Sequence, residues 1–134
     1  MENKHCFCGN KMSFKMCCEP YIKRIKTPLT AEQLMRARYS AFVTKNSLYI
    51  KETMKQPALS HFDQNFIDNS PIIWLKCEVI KVIKGLSKDN YGEIELKAHY
   101  KNYPTDPETH VLSEQSMFKK ETDVWYYVDG TIIN

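Results

Sequence analysis

In AEQLMRARYSAFV, residues 31–43, the apolar positions recur at the spacing of one helical face. At about 100° per residue, Leu34, Met35, Tyr39, Ala41 and Phe42 fall on one arc. Thr30 is placed to cap this helix, and Gln33 stands at capping-box distance. After a break at TKNS, a second helix is predicted over 48–54, with Pro57 closing it. ALSHFDQNFIDNSP admits either a short helix or a loop. From Ile72 the pattern changes. IIWLKCEVIKVIKGL is rich in β-branched residues, and GEIELKAHYKN alternates, with Ile94, Leu96, Ala98 and Tyr100 on one face. A hairpin turn is predicted between Gly85 and Gly92. Pro104 and Pro107 make NYPTDPE a loop. THVLSEQSMFKKE and DVWYYVDGTII read as two more strands, joined around Thr122 and Asp123. Helices followed by antiparallel strands predict an α+β fold, with the helices on one face of a curved sheet.

Composition changes this picture mainly through cysteine. The 134 residues suffice for one domain with a small appendage. A net charge of +3 does not by itself point to nucleic acid. No apolar run approaches the ~20 residues that span a bilayer, and no apolar stretch precedes the first cysteine. A cytoplasmic protein with reduced thiols and no membrane partner is expected. Four of the five cysteines crowd into HCFCGNKMSFKMCC, while Cys77 lies far along the chain. Cys6 and Cys8 form a C-x-C, Cys17 and Cys18 are adjacent, and eight residues separate the pairs. Four thiolates suit tetrahedral zinc. Gly9 offers a backbone free to take positive φ in a tight turn, and Lys11 and Lys15 can offset the negative charge. A disulfide, a vicinal redox pair at Cys17–Cys18 and ligation by His5 are the alternatives. Residues 1–26 carry six basic side chains (Lys4, Lys11, Lys15, Lys23, Arg24, Lys26) and few aliphatic ones. Too short for a core of its own, such a segment is expected to be shaped by structural Zn2+.

CFCGNKMSFKMCC resembles the SEC-C motif, the small zinc-binding element at the C-terminus of the SecA translocation ATPase. Cys6, Cys8, Gly9, Lys11, Cys17 and Cys18 match its pattern, while Asn10 and Met12 replace its usual small residues. PLTAEQLMRARYSAFVTKNSLYI and HVLSEQSMFKKETDVWYYVDG resemble the YchJ-like family of small bacterial proteins. The match covers nearly the whole chain and is weakest over 56–70. The resemblance implies a SEC-C-like zinc element over 1–26 and a nuclear transport factor 2-like domain over 27–134. That domain is a cone of helices over a strongly bent antiparallel sheet. In SecA the matching element contacts the chaperone SecB and ribosomal partners, so the resemblance implies protein or ribosome docking. Domains of this fold often pair through their sheets, which makes a homodimer an expectation. Many relatives carry a second SEC-C element at the C-terminus. This sequence ends at DGTIIN without one, so no function that needs two is expected of it. The family brings no established activity.

One residue interrupts the apolar arc of the first long helix. Arg38 falls near its middle, whereas Arg36 points away and should be solvated. A buried guanidinium needs a partner. Strand alternation puts His110, Leu112, Glu114, Ser116 and Phe118 on one face of HVLSEQSMF. If the helix covers that face, Arg38 meets Glu114, with His110 or Ser116 alongside. In the fold that the resemblance implies, this concave face lines a pocket that enzymes of the fold use for catalysis. Either Arg38 and Glu114 form a structural pair and Tyr39, Trp74 and Phe118 fill the pocket, or the pocket is open and Arg38 receives an anionic group. Catalysis is expected less, because arginine cannot shuttle a proton at neutral pH. His110 is the candidate general base. Trp125, Tyr126 and Tyr127 read as packing residues, and Asp123 and Asp129 argue against a base-stacking platform. The sequence thus supports docking through the zinc element first and a small-molecule site or enzyme in the cone second. Nucleic-acid binding through the basic N-terminal segment comes last.

Overall fold

The computed structural model describes residues 5–133. The cysteine-rich segment holds only a 3-10 turn at Phe14–Met16 and helix α1 at Glu19–Ile22. Helix α2 spans Ala31–Val43, as the apolar periodicity predicts. Its start is fixed by a reciprocal cap. Gln33 N–H donates to Thr30 Oγ1 at 3.1 Å, and Leu29 N–H donates to Gln33 Oε1 at 2.8 Å. Asn46 then caps α3, Ser47–Glu52, by accepting from the Tyr49 amide. Helix α3 stops at Glu52 rather than Met54. Thr53 bends its hydroxyl back to the Tyr49 carbonyl at 2.8 Å, and Met54 leaves the helix to bridge Tyr127. The ambiguous stretch folds into a 3-10 turn at Ala58–His61 and helix α4 at Gln64–Asn69, capped by Asp63.

Four strands follow: β1 Ile73–Lys84, β2 Tyr91–Lys101, β3 His110–Glu121 and β4 Val124–Ile132. They form one antiparallel meander in the order β1-β2-β3-β4. The β3–β4 turn is made by Thr122 and Asp123, with φ of +51° and +65°. Two consecutive positive φ values give the primed turn whose twist matches a hairpin. Register shifts between Trp74 and Lys76, between Val79 and Lys81, and between Met117 and Phe118 mark bulges. Such bulges bend a sheet, and here the bent sheet turns its concave side to the helices. On the convex side Lys76 faces His99, Glu78 faces Lys97 and Lys81 faces Glu95. On the concave side Ile94, Ala98 and Phe118 are buried under α2. The fold is α+β, as predicted, and α2 is its central helix.

Candidate functional site

The four clustered cysteines converge. Their sulfurs all lie within 4.8 Å of one another. Cys8 and Cys17 Sγ are 3.8 Å apart, and Cys17 and Cys18 Sγ are 3.9 Å apart. A tetrahedral ion with metal–sulfur bonds of about 2.3 Å requires edges of about 3.8 Å, so the cluster could hold a metal ion. The loop that makes it is tight. Cys6 N–H donates to the carbonyls of Asn10 and Met12, and Gly9 N–H donates to the Cys6 carbonyl. Gly9 takes φ +96°, and a Cβ there would lie 3.1 Å from the Cys77 carbonyl. Asn10 donates its side-chain amide to Cys17 Sγ at 3.6 Å. The thiols share their protons unevenly. Side-chain hydrogen bonds from Cys18 and Cys8 draw the Cys6 thiol well below its ordinary pKa, and the contact with Cys6 drives that of Cys18 up. A cation would relieve this competition by taking all four as thiolates.

The cluster is seated on helix α2. Cys6 Sγ lies 3.6 Å from Ser40 Oγ. Arg36 Nη1 donates to the Cys8 carbonyl at 2.7 Å, while its Nε donates to Glu32 at 3.0 Å. Arg36 is therefore only partly solvated, where full solvation was expected, because the cysteine loop packs against it. Cys77 lies outside the cluster, and burial pushes its thiol up to about 12. His5 is exposed and is not among the clustered ligands.

The other face of α2 roofs a cavity of about 640 Å³ against the concave sheet. Its walls are aromatic and aliphatic in about equal measure. Trp74 makes edge or tilted contacts with Tyr39, Phe42 and Tyr100 at centroid distances of 6.1, 6.3 and 5.6 Å. Arg38 reaches it from above and is 6% exposed. Its Nη1 donates to the Ile50 carbonyl at 2.8 Å and to Thr53 Oγ1 at 2.7 Å, and the guanidinium carbon sits 4.5 Å from the centre of the Tyr127 ring. Among the described residues, hydrogen bonds reach this guanidinium at Nη1 alone. Tyr127 turns its ring face to Arg38 and its hydroxyl to Glu114, donating to Oε2 at 2.9 Å. Ser116 Oγ donates to the same oxygen at 2.8 Å. Gly130 lies opposite Ser116 on β4, and a Cβ there would come 2.2 Å from the Tyr127 hydroxyl and 2.3 Å from Glu114 Oε2. The missing side chain is what lets these groups meet. Burial and the neighbouring carboxylate hold the Tyr127 hydroxyl above its ordinary pKa, so it stays a donor.

Residues 30–130 match the family described as YchJ, middle NTF2-like domain. The chain belongs to the YchJ-like family. A UPF0225 protein of Vibrio vulnificus is 35% identical over 127 residues, which cover 94% of this chain and 74% of that one. The solution structure of a SEC-C motif containing protein from Rhodopseudomonas palustris superposes with a TM-score of 0.85 at 26% identity, covering 98% of this chain and 100% of that one. The crystal structure of a SEC-C motif containing protein from Psychrobacter arcticus gives a TM-score of 0.74 at 30% identity, covering 92% and 74%. The expected cone architecture and the SEC-C pattern at Cys6–Cys18 agree with these likenesses. No helix among the described residues is long and apolar enough to cross a membrane.

In this YchJ-like chain, five of the six pocket candidates line the cavity: Arg38, Tyr39, Trp74, Glu114 and Ser116. His110 does not. It opens β3, at the end of the sheet, and its ring is held by Asp106 at 3.0 Å and by Asn102, a lining residue, at 3.2 Å, against the Tyr100 ring at 5.4 Å. The anticipated Arg38–Glu114 ion pair is also absent among the described residues, because Tyr127 contacts both groups. Sequence reasoning read Tyr127 as packing, used Asp129 only against base stacking and gave Gly130 no role, yet all three line the cavity. The register shift on β4 moves them there, and strand alternation alone does not reveal a bulge. The basic segment is partly spent on its own neighbours. Arg24 pairs with Glu52 at 2.7 Å and Lys23 with Glu19 at 3.6 Å. Lys4 lies outside the described residues.

Proposed function

We propose that this protein binds a small organic molecule in the cone, between α2 and the concave sheet, and that its cysteine element, residues 1–26, is a structural zinc site docked on the cone domain, residues 27–134. The carrying observation is the cavity itself. A cleft of about 640 Å³ with aromatic and aliphatic walls and a few convergent polar groups has the size and lining of small-molecule sites. A structural Arg38–Glu114 pair with Tyr39, Trp74 and Phe118 filling the space would have left no such room. Binding is favoured over catalysis, because the expected general base, His110, is not among the lining residues and His61, the histidine that is, lies exposed at the rim. Four sulfurs around one ion leave no open coordination position, which supports a structural rather than catalytic Zn2+.

The test is a thermal-shift screen of a fragment library against the wild-type protein and against Leu112→Trp, which places an indole in the cavity. Fragments should stabilise the wild type and lose their effect on the variant. An absence of hits, or hits that the variant retains, would refute the cone as a binding site.

A second reading rests on the surface of the cysteine element. Phe7, Met12 and Met16 are exposed there at 43%, 51% and 63%, beside the exposed Lys11 and Lys15. Apolar and basic groups side by side suit docking on an acidic protein or ribosomal surface. Affinity capture should lose its partners when Cys17→Ser removes one ligand, and unchanged partners would count against docking. Nucleic-acid binding finds less support, since Arg24 and Lys23 are already paired.

A further inference from the structure

The charges that line the cone decide what kind of molecule it takes. The sequence suggests an anion received by Arg38, but the cavity is lined by three carboxylates, Asp63, Glu114 and Asp129, against one guanidinium. Arg38 is moreover partly engaged, through Nη1 and one ring face, with Nε and Nη2 left without a hydrogen-bond partner among the described residues. Two oxygens accept from Nη1, and the electron-rich face of Tyr127 covers the guanidinium carbon. An anion placed against it would also meet the field of Glu114.

Glu114 is held at one end as well, and its charge has the sign that predominates in the lining. It makes no ion pair among the described residues. Its Oε2 is fixed by two hydroxyl donors, Ser116 and Tyr127, in a recess that only a glycine at position 130 permits. Its Oε1 accepts no hydrogen bond from the described residues. A carboxylate held by one oxygen and open at the other is a pre-positioned acceptor for a charged N–H donor. The aromatic and aliphatic walls supply π faces that favour a cation and apolar area that favours a hydrocarbon body.

Resting on the reading of the cone as a small-molecule site, we infer that its ligand is an organic cation: an aromatic or aliphatic body carrying a protonated amine, whose N–H groups bond Glu114 Oε1. The apolar body lies along Trp74, Tyr39 and Phe118. Arg38 sits beyond the Tyr127 ring and limits how deep a positive group can go.

Three probes of nearly equal size separate the possibilities: 2-phenylethylamine, 2-phenylethanol and phenylacetate. Binding is read from the change in tryptophan fluorescence, Trp74 being the one of the two tryptophans that lines the cavity, and from amide shifts in β3 and β4. The amine should bind roughly tenfold more tightly than the alcohol, and the acid most weakly, because a charge-assisted hydrogen bond is about twice as strong as a neutral one. Glu114→Gln keeps an acceptor for Ser116 and Tyr127 but loses the charge, and should abolish the preference for the amine. The ranking in the unsubstituted protein decides the matter even if that variant folds poorly. A ranking with the acid first, equal binding of all three, or an amine preference that survives in folded Glu114→Gln overturns the cation reading and leaves the small-molecule site standing. Binding of none of the three overturns the cation reading as well, and the fragment screen then shows separately whether the cone binds anything.

Discussion

The guanidinium of Arg38 is buried, and that burial lowers its pKa to about 10. Two acceptors and one aromatic face offset the cost without a carboxylate in contact. Such groups are frequently replaceable by apolar ones of similar volume at no loss. Arg38→Met should therefore leave the unfolding free energy within about 1 kcal/mol of the parent or raise it. Thr53 keeps its hydroxyl bonded to the Tyr49 and Ile50 carbonyls after the change. Urea denaturation checks this. A loss of about 3 kcal/mol or more would make Arg38 an anchor of the fold rather than a fixture of the cavity. That Arg38 is buried was legible from its place in the apolar arc. Its partners were not, because Ile50 and Thr53 come from a neighbouring helix end and Tyr127 from a bulged strand. Glu114 and Ser116 were legible as a polar pair on a core-facing strand. Gly130 was invisible, since its meaning lies in what two other side chains do in the space it leaves.

At the scale of elements, local chemistry read well and irregular connections did not. The cap at Thr30, the length of α2 and the turn at Thr122–Asp123 follow from nearest neighbours in the chain. The end of α3 and the 3-10 turn at Ala58–His61 depend on contacts with β4, so periodicity could not place them. The loop between β2 and β3 illustrates the second kind. Two prolines predicted it, but one buried carboxylate organises it. Asp106 accepts from the amides of Glu108 and Asn102, both at 3.0 Å, and from His110. These donors, the backbone amides first, hold its carboxyl below the ordinary 3.8. A depressed pKa means that the folded loop favours the ionised form. Its contribution is complete above the unfolded value and is lost only as pH falls through the lower, folded value. The loop should thus stay ordered at pH 3.8 and loosen below it. Amide exchange at Asn102 and Glu108 measures this, and Asp106→Asn should loosen the loop at every pH. Protection factors, corrected for intrinsic exchange, that are already lost well above pH 4 in the wild type would count against Asp106 as the organiser.

The whole molecule is built around one helix with two occupied faces. Arg36 and Ser40 hold the cysteine element on one side of α2, and Arg38 and Tyr39 roof the cavity on the other. The cysteine element has only a three-residue turn and a four-residue helix of its own. Yet Cys6, Cys8 and Cys18 are buried in the same apolar cluster as Leu34, Tyr49 and Trp125. A tail tethered by its chain alone could lose its metal without consequence for the cone. With the proposed zinc this element cannot, because releasing it uncovers α2 and leaves the part-buried Arg36 contact with Cys8 unmade. Removing the proposed zinc should therefore lower the melting temperature of the entire chain, not merely loosen residues 5–22. A loss of even 1 kcal/mol shifts the midpoint of a domain this size by roughly 2–8 °C, which calorimetry with a zinc chelator resolves. Re-adding Zn2+ should restore the original midpoint. Arg36→Ala with the metal kept should give a smaller decrease, since it cuts one latch and leaves the knot tied. A chelated protein that melts at the unchanged temperature would show that the two faces of α2 are independent, and that the cysteine element is carried by the cone without supporting it.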